Sequence, residues 1–129
     1  MKKKLTNERI VNIINLLGRL NDTPLPIKVA YAVSKNIDKI ERELKAYNIE
    51  RSKLLDKYTE KDEKGEVIIE NGHFKIKEEC AANWNREIRE LLDIENDVEI
   101  HMIQLDDLLN SNCSIAPSEF ELIDFMIKE

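Results

Sequence analysis

The chain has 129 residues, of which 42% are hydrophobic, 36% charged and 5% aromatic. Such a length suits one core, and that hydrophobic fraction excludes a disordered chain. Three Gly and three Pro are too few for a many-stranded fold, so the composition points to helices.

The net charge of −6 conceals two opposed halves. Residues 1–59 carry 13 Lys and Arg against 7 Asp and Glu, whereas residues 60–129 carry 7 against 19. Such a split fits a nucleic-acid-binding front, an acidic docking surface behind it, or halves that attract each other within or between chains. No apolar run approaches the roughly 20 residues that cross a bilayer. The opening Met1-Lys2-Lys3-Lys4 leads into Leu5-Thr6-Asn7-Glu8-Arg9, which is too polar for a signal peptide. A cytoplasmic protein without membrane contact is expected, with Cys80 and Cys113 as reduced thiols.

Residues 7–20 set Ile10, Val11, Ile13, Ile14, Leu17 and Leu20 at helical spacing, with Thr6 as N-cap and Glu8 in the positive first turn. Pro24 and Pro26 end this helix. From Ile27 to Tyr58 there is no Pro or Gly, and Val33, Ile37, Ile40, Leu44, Tyr47, Leu54 and Tyr58 form a heptad stripe whose one gap is Arg51. Asp38 with Arg42 and Glu41 with Lys45 are i,i+4 pairs that support the helix. At about 1.5 Å per residue it extends roughly 48 Å, while a globule of this length is about 36 Å across. The stripe is therefore expected to overhang and to be covered by a second copy, which makes Val33, Ile37, Ile40, Leu44, Tyr47, Arg51, Leu54 and Tyr58 the interface candidates of a homo-oligomer.

Gly65 lies in a charged connection, Glu60 to Glu66. Asn71-Gly72 then predicts a type I′ hairpin pairing Glu70 with His73, Ile69 with Phe74, Ile68 with Lys75, Val67 with Ile76 and Glu66 with Lys77. Its apolar face is expected to pack on a helix. A third helix runs from Glu78 to about Asp93 through Ala81, Trp84, Ile88, Leu91 and Leu92. Val98, Ile100 and Met102 alternate with polar residues as a short strand that can join the hairpin as a third strand. A helical turn is expected over Asp106–Asn112, then a last helix from Pro117 carrying Phe120, Ile123, Phe125 and Ile127. The fold class is mainly α with a small antiparallel hairpin or three-stranded sheet (α+β), in the order α-α-β-β-α-β-α. It forms one domain over residues 1–129, a basic helical hairpin (1–59) followed by an acidic α+β part (60–129).

No glycine cluster offers a phosphate loop. His73, His101, Cys80 and Cys113 lack zinc-signature spacing, so no metal and no cofactor are expected. Ser, His and Asp are present without a nucleophile motif, and a non-catalytic protein is expected. The acids Glu87, Glu90, Asp93, Glu95, Asp97 and Glu99 read as a solvated face. DNA mimicry by the acidic half is interrupted by Lys61, Lys64, Lys75, Lys77, Arg86 and Arg89. The basic helix 27–58, with Lys28, Lys35, Lys39, Arg42, Lys45, Lys53 and Lys57, offers a nucleic-acid alternative, partly neutralised by Asp38, Glu41, Glu43, Glu50 and Asp56. Tyr47, Tyr58 and Trp84 could anchor an interface but read better as packing between the second and third helices.

The segments Leu5-Thr6-Asn7-Glu8-Arg9-Ile10, Pro26-Ile27-Lys28-Val29-Ala30-Tyr31-Ala32-Val33-Ser34-Lys35-Asn36-Ile37, the Glu- and Lys-rich helix to Tyr58, and Pro117-Ser118-Glu119-Phe120-Glu121-Leu122-Ile123-Asp124-Phe125-Met126 resemble small proteins encoded by phages and prophages of low-GC Gram-positive bacteria. These are packing motifs, and the resemblance transfers no functional residues. It implies a protein made in the host cytoplasm during infection or lysogeny. Two functions are expected in that setting: small size, an acidic half and the lack of a catalytic motif suit an inhibitor or adaptor acting on a host factor such as a bacterial defence protein, and the heptad stripe suits a particle assembly protein, a tail or head chaperone or minor component.

Overall fold

The computed structural model describes residues 1–111 and 114–129. It is mainly helical, α+β, with one long central helix. The elements are β1 (Lys2–Thr6), α1 (Asn7–Asn21), α2 (Ile27–Tyr58), β2 (Ile69–Glu70), β3 (His73–Phe74), α3 (Ala81–Leu92), β4 (Glu95–Glu99), β5 (Ile103–Gln104), α4 (Leu105–Leu109), α5 (Pro117–Ile123) and β6 (Ile127–Lys128), with 3-10 turns at Glu78–Cys80 and Asp124–Met126. Contacts group the chain into two compact units, Met1–Leu44 with Glu95–Glu129, and Lys45–Ile94. This division does not follow the charge boundary after Thr59. Among the described residues no helix is long and apolar enough to cross a membrane.

In the first unit Thr6 caps α1 as expected, its hydroxyl oxygen accepting from the Arg9 N–H at 3.1 Å. Ile10, Ile13, Leu17 and Leu20 then face Val29, Val33 and Ile40 of α2 in a core closed by Ile100, Ile123 and Met126. The first residues of the chain, assigned to no element from sequence, form β1, which pairs antiparallel with β4 in the register Lys2↔Glu99, Lys4↔Asp97 and Thr6↔Glu95. The strand expected over Val98, Ile100 and Met102 forms instead at Glu95–Glu99, keeping only Val98 of the three, and joins the N-terminal segment and not the hairpin. Alternation explains the choice: Leu5 and Val98 point into the core, while on the other face lysines stand opposite carboxylates, a pairing favoured across antiparallel strands. Buried Asn7 and half-buried Asn96 tie the corner, the Asn96 side chain donating to the Leu5 carbonyl at 3.1 Å and to Asn7 Oδ1 at 2.9 Å.

Beyond β4 the backbone of His101 lacks a strand partner, and Asn36 supplies one. This α2 residue is fully buried; its Nδ2 donates to the His101 carbonyl at 2.9 Å and its Oδ1 accepts from the His101 N–H at 2.8 Å. A second departure lies at the C-terminus, where the helix expected to carry Phe125 and Ile127 ends at Ile123. Phe125 sits in a 3-10 turn, and Ile127 pairs in parallel with Ile103. Arg9, 3.1 Å from Asp124 and 5.0 Å over the Phe125 ring, and Arg19, paired with Glu119, hold this end of the chain to α1. The expected turn over Asp106–Asn112 forms as α4; Asn112 lies outside the described residues.

In the second unit Tyr58 meets Trp84 of α3 edge to face, with centroids 6.5 Å apart. The hairpin tip has the expected register, Ile69↔Phe74 and Glu70↔His73, and Asn71 and Gly72 take the positive φ values, 52° and 79°, of a type I′ turn. Below the tip the expected Val67–Ile76 and Glu66–Lys77 pairs do not form. Lys61 takes Val67 and Thr59 takes Ile76. At the centre the backbones of three residues close a ring: the Glu60 N–H donates to the Lys75 carbonyl (2.8 Å), the Lys75 N–H to the Ile68 carbonyl (3.0 Å), and the Ile68 N–H to the Glu60 carbonyl (2.9 Å). Each group is satisfied, so the junction replaces both longer hairpin arms and the expected third strand. The apolar tip, expected to pack on a helix, is only partly covered: Ile69 is 61% and Phe74 38% exposed, and α2 reaches the Phe74 ring through Arg51.

Two predictions follow from the first unit. Asn36→Leu removes both bonds to the His101 peptide and should lower unfolding free energy by about 1–3 kcal/mol in urea titration. The carboxyl of Glu119 is held below its usual range by the Ala116 N–H, opposed by partial desolvation and helped by Arg19. A depressed carboxyl stabilises the fold above its unfolded value, about 4.3, and that stability is lost as pH falls through the lower folded value. Melting temperature should therefore decline less steeply below about pH 4 in Glu119→Gln than in the parent chain.

Candidate functional site

The eight residues expected to form an interface are largely covered within the chain. Val33, Ile40, Tyr47 and Tyr58 are buried, and Ile37, Leu44, Arg51 and Leu54 are half-buried. Val33 and Ile40 belong to the core of the first unit, with Ile37 and Leu44 packed against it. Arg51, the gap in the stripe, lays its guanidinium 5.5 Å from the Phe74 ring. The stripe from which a second copy was inferred is thus mostly covered within the chain, in the first unit by α1 and the segments from Val98 onward and in the second by residues such as Phe74 and Trp84. Tyr58 takes the packing role expected of it, against Trp84 of α3, and Tyr47 is buried.

The apolar side chains left open on α2 lie on another face. Ile27 is 82% and Tyr31 53% exposed, one turn apart at the start of the helix. They flank a cleft of about 350 Å³ lined also by His101, Met102, Ile103 and Gln104 and by the charged Lys28 and Asp107. The clamp from Asn36 fixes the His101 peptide, and the imidazole meets the Tyr31 ring edge-on at 5.5 Å and 78°. Lys35 stands 5.5 Å over the same ring. The cleft is thus walled by a rigid helix and a pinned segment. Its aromatic and aliphatic lining with few polar groups suits an inserted side chain or small apolar group. Sequence reasoning missed it because Ile27 and Tyr31 fall off the heptad stripe, although their i,i+4 spacing is legible.

The second unit carries a shallower groove of about 500 Å³ between α2 and α3, lined by Glu50, Leu54, Glu87, Glu90, Leu91 and Ile94. Leu54 is the one stripe residue that reaches an open surface there. Glu87, read from sequence as part of a solvated face, is half-buried, with Oε1 3.8 Å from Lys57 Nζ and Oε2 buried without a hydrogen-bond donor. Lys57 is held above its usual range, first by the Tyr58 hydroxyl and then by Glu87.

Among the described residues no three His, Cys, Asp or Glu gather as metal ligands; Cys113 lies outside them, and Cys80 is half-buried. On the basic helix Arg42 pairs with Asp38 at 2.8 Å and Lys53 with Glu50 at 3.0 Å, so part of the charge offered to phosphates is already engaged. The contrast between stripe and open face is measurable. Ile40→Ala should destabilise the fold by about 2–4 kcal/mol, and Ile27→Ala by no more than about 0.5 kcal/mol, in denaturant titrations.

Comparison with protein-family models, with curated proteins and with solved structures finds no match to this chain.

Proposed function

We propose that the chain is a non-catalytic protein-binding protein, an inhibitor or adaptor that acts on a host factor such as a bacterial defence protein in a phage-infected or lysogenic cell. The observation that carries the reading is the pair Ile27 and Tyr31, held open beside a preformed cleft while the remaining large apolar residues of α2 other than Ile49 are at least half covered. Large aromatic and aliphatic side chains next to a pocket are the usual anchors of protein interfaces. The clamp beneath His101 lowers the ordering cost of binding, since one wall of the cleft is already fixed. The phage setting rests on the sequence resemblance of the packing motifs.

Tagged protein purified from the host at moderate salt should retain one defence protein at fixed stoichiometry. Ile27→Asp combined with Tyr31→Ala should abolish that retention while leaving the far-ultraviolet circular dichroism unchanged. Retention that ignores both substitutions, or recovery of head or tail components in place of a host protein, would overturn the reading; the second result would move the chain to particle assembly.

A further inference from the structure

We propose that the groove between α2 and α3 in the second unit is a second docking surface, separate from the cleft at Ile27 and Tyr31, and that it takes a cationic amphipathic helical segment of a foreign protein. The lining itself selects this occupant. Leu54, Leu91 and Ile94 form an apolar strip, and Ile94 is 51% exposed. Glu50, Glu87 and Glu90 complete the lining, and no Lys or Arg is part of it. Aliphatic and carboxylate side chains in one groove together match a helix that presents Leu-type anchors at i and i+4 with Lys or Arg beside them.

The carboxylates are not equally engaged. Glu50 is held by Lys53 at 3.0 Å in an exposed i,i+3 pair of little energetic consequence. Lys57 reaches Glu87 only at 3.8 Å, and Glu90 has no ion pair among the described residues. Glu87 Oε2, buried without a donor, is an unsatisfied acceptor in the groove wall, and a turn of the carboxylate towards an incoming ammonium or guanidinium would satisfy it. On α3 the groove runs from Glu87 to Leu91, roughly 6 Å at about 1.5 Å per residue, and Ile94 extends it past the helix end, which suits a docked segment of about one to two helical turns.

The test uses the full chain and a synthetic amphipathic helix of Leu and Lys, about four turns long, with a Leu and Glu peptide of the same pattern as control. On titration, amide resonances of Leu54, Glu90, Leu91 and Ile94 should shift with the Lys peptide and stay in place with the Glu peptide. Affinity should fall about tenfold in Glu90→Lys, an exposed position whose substitution spares the core, and fall again when salt is raised to about 0.5 M. The Ile27→Asp, Tyr31→Ala variant should bind the Lys peptide as the parent does, so failure here is separable from failure of the proposed host-factor site. Equal binding of both peptides, shifts centred away from the groove, or indifference to Glu90→Lys would overturn the assignment. So would light scattering in which the protein alone grows from 15.1 kDa with concentration and Glu90→Lys prevents it, because the occupant would then be a second copy.

Discussion

The first unit depends on one side-chain amide. Asn36 lies on the buried face of α2, and a polar group there is tolerated only because its donor and acceptor both find partners. Nδ2 donates to the His101 carbonyl and Oδ1 accepts from the His101 N–H, so the helix offers this backbone what a neighbouring strand would have offered. The consequences spread in two directions. Ile100 and Ile103 drop into the core, and the imidazole between them stands against Tyr31. The same two bonds therefore close the core and build a wall of the cleft, which ties the stability of this unit to the shape of its open surface.

The opposition of charge along the chain has a partly local resolution. Lys2 and Lys4, from the basic end, stand across the β1–β4 ladder from Glu99 and Asp97, of the acidic end. The ladder brings the N-terminal lysines beside a run of carboxylates that would otherwise repel one another, and attraction within one chain absorbs part of the asymmetry. What remains is unevenly placed. The α2–α3 groove keeps three carboxylates among its apolar lining, whereas the cleft at the start of α2 has one lysine and one aspartate in its lining.

The second unit shows how a local turn signal can be right and its extension wrong. Asn71-Gly72 determines the I′ turn and the two pairs next to it, since φ is positive at both residues. Two residues further on, the backbone has a choice of partners, and the segment leaving α2 competes for it. The ring through Glu60, Ile68 and Lys75 satisfies the same donors and acceptors that a longer hairpin would have satisfied, so hydrogen bonding alone does not decide between them. Connectivity does, because Thr59 follows α2 directly and is buried with its hydroxyl bonded to the Leu55 carbonyl.

The sequence alone determined the elements whose physics is local: α1 with its Thr6 cap, α2 from Ile27 to Tyr58, the I′ turn, and α3, because periodicity, capping and proline act within a few residues. Only the tertiary structure decided what those elements meet. β1 has a single large apolar residue, Leu5, and exists through pairing with β4, nearly a whole chain away. Asn36 looked like one more polar position on a helix until His101 was beside it. The heptad stripe was legible residue by residue, yet whether it faced solvent, a copy of itself or its own chain depended on segments distant in sequence. The cleft and the groove, for the same reason, are properties of which faces remain uncovered once every other face has found its partner.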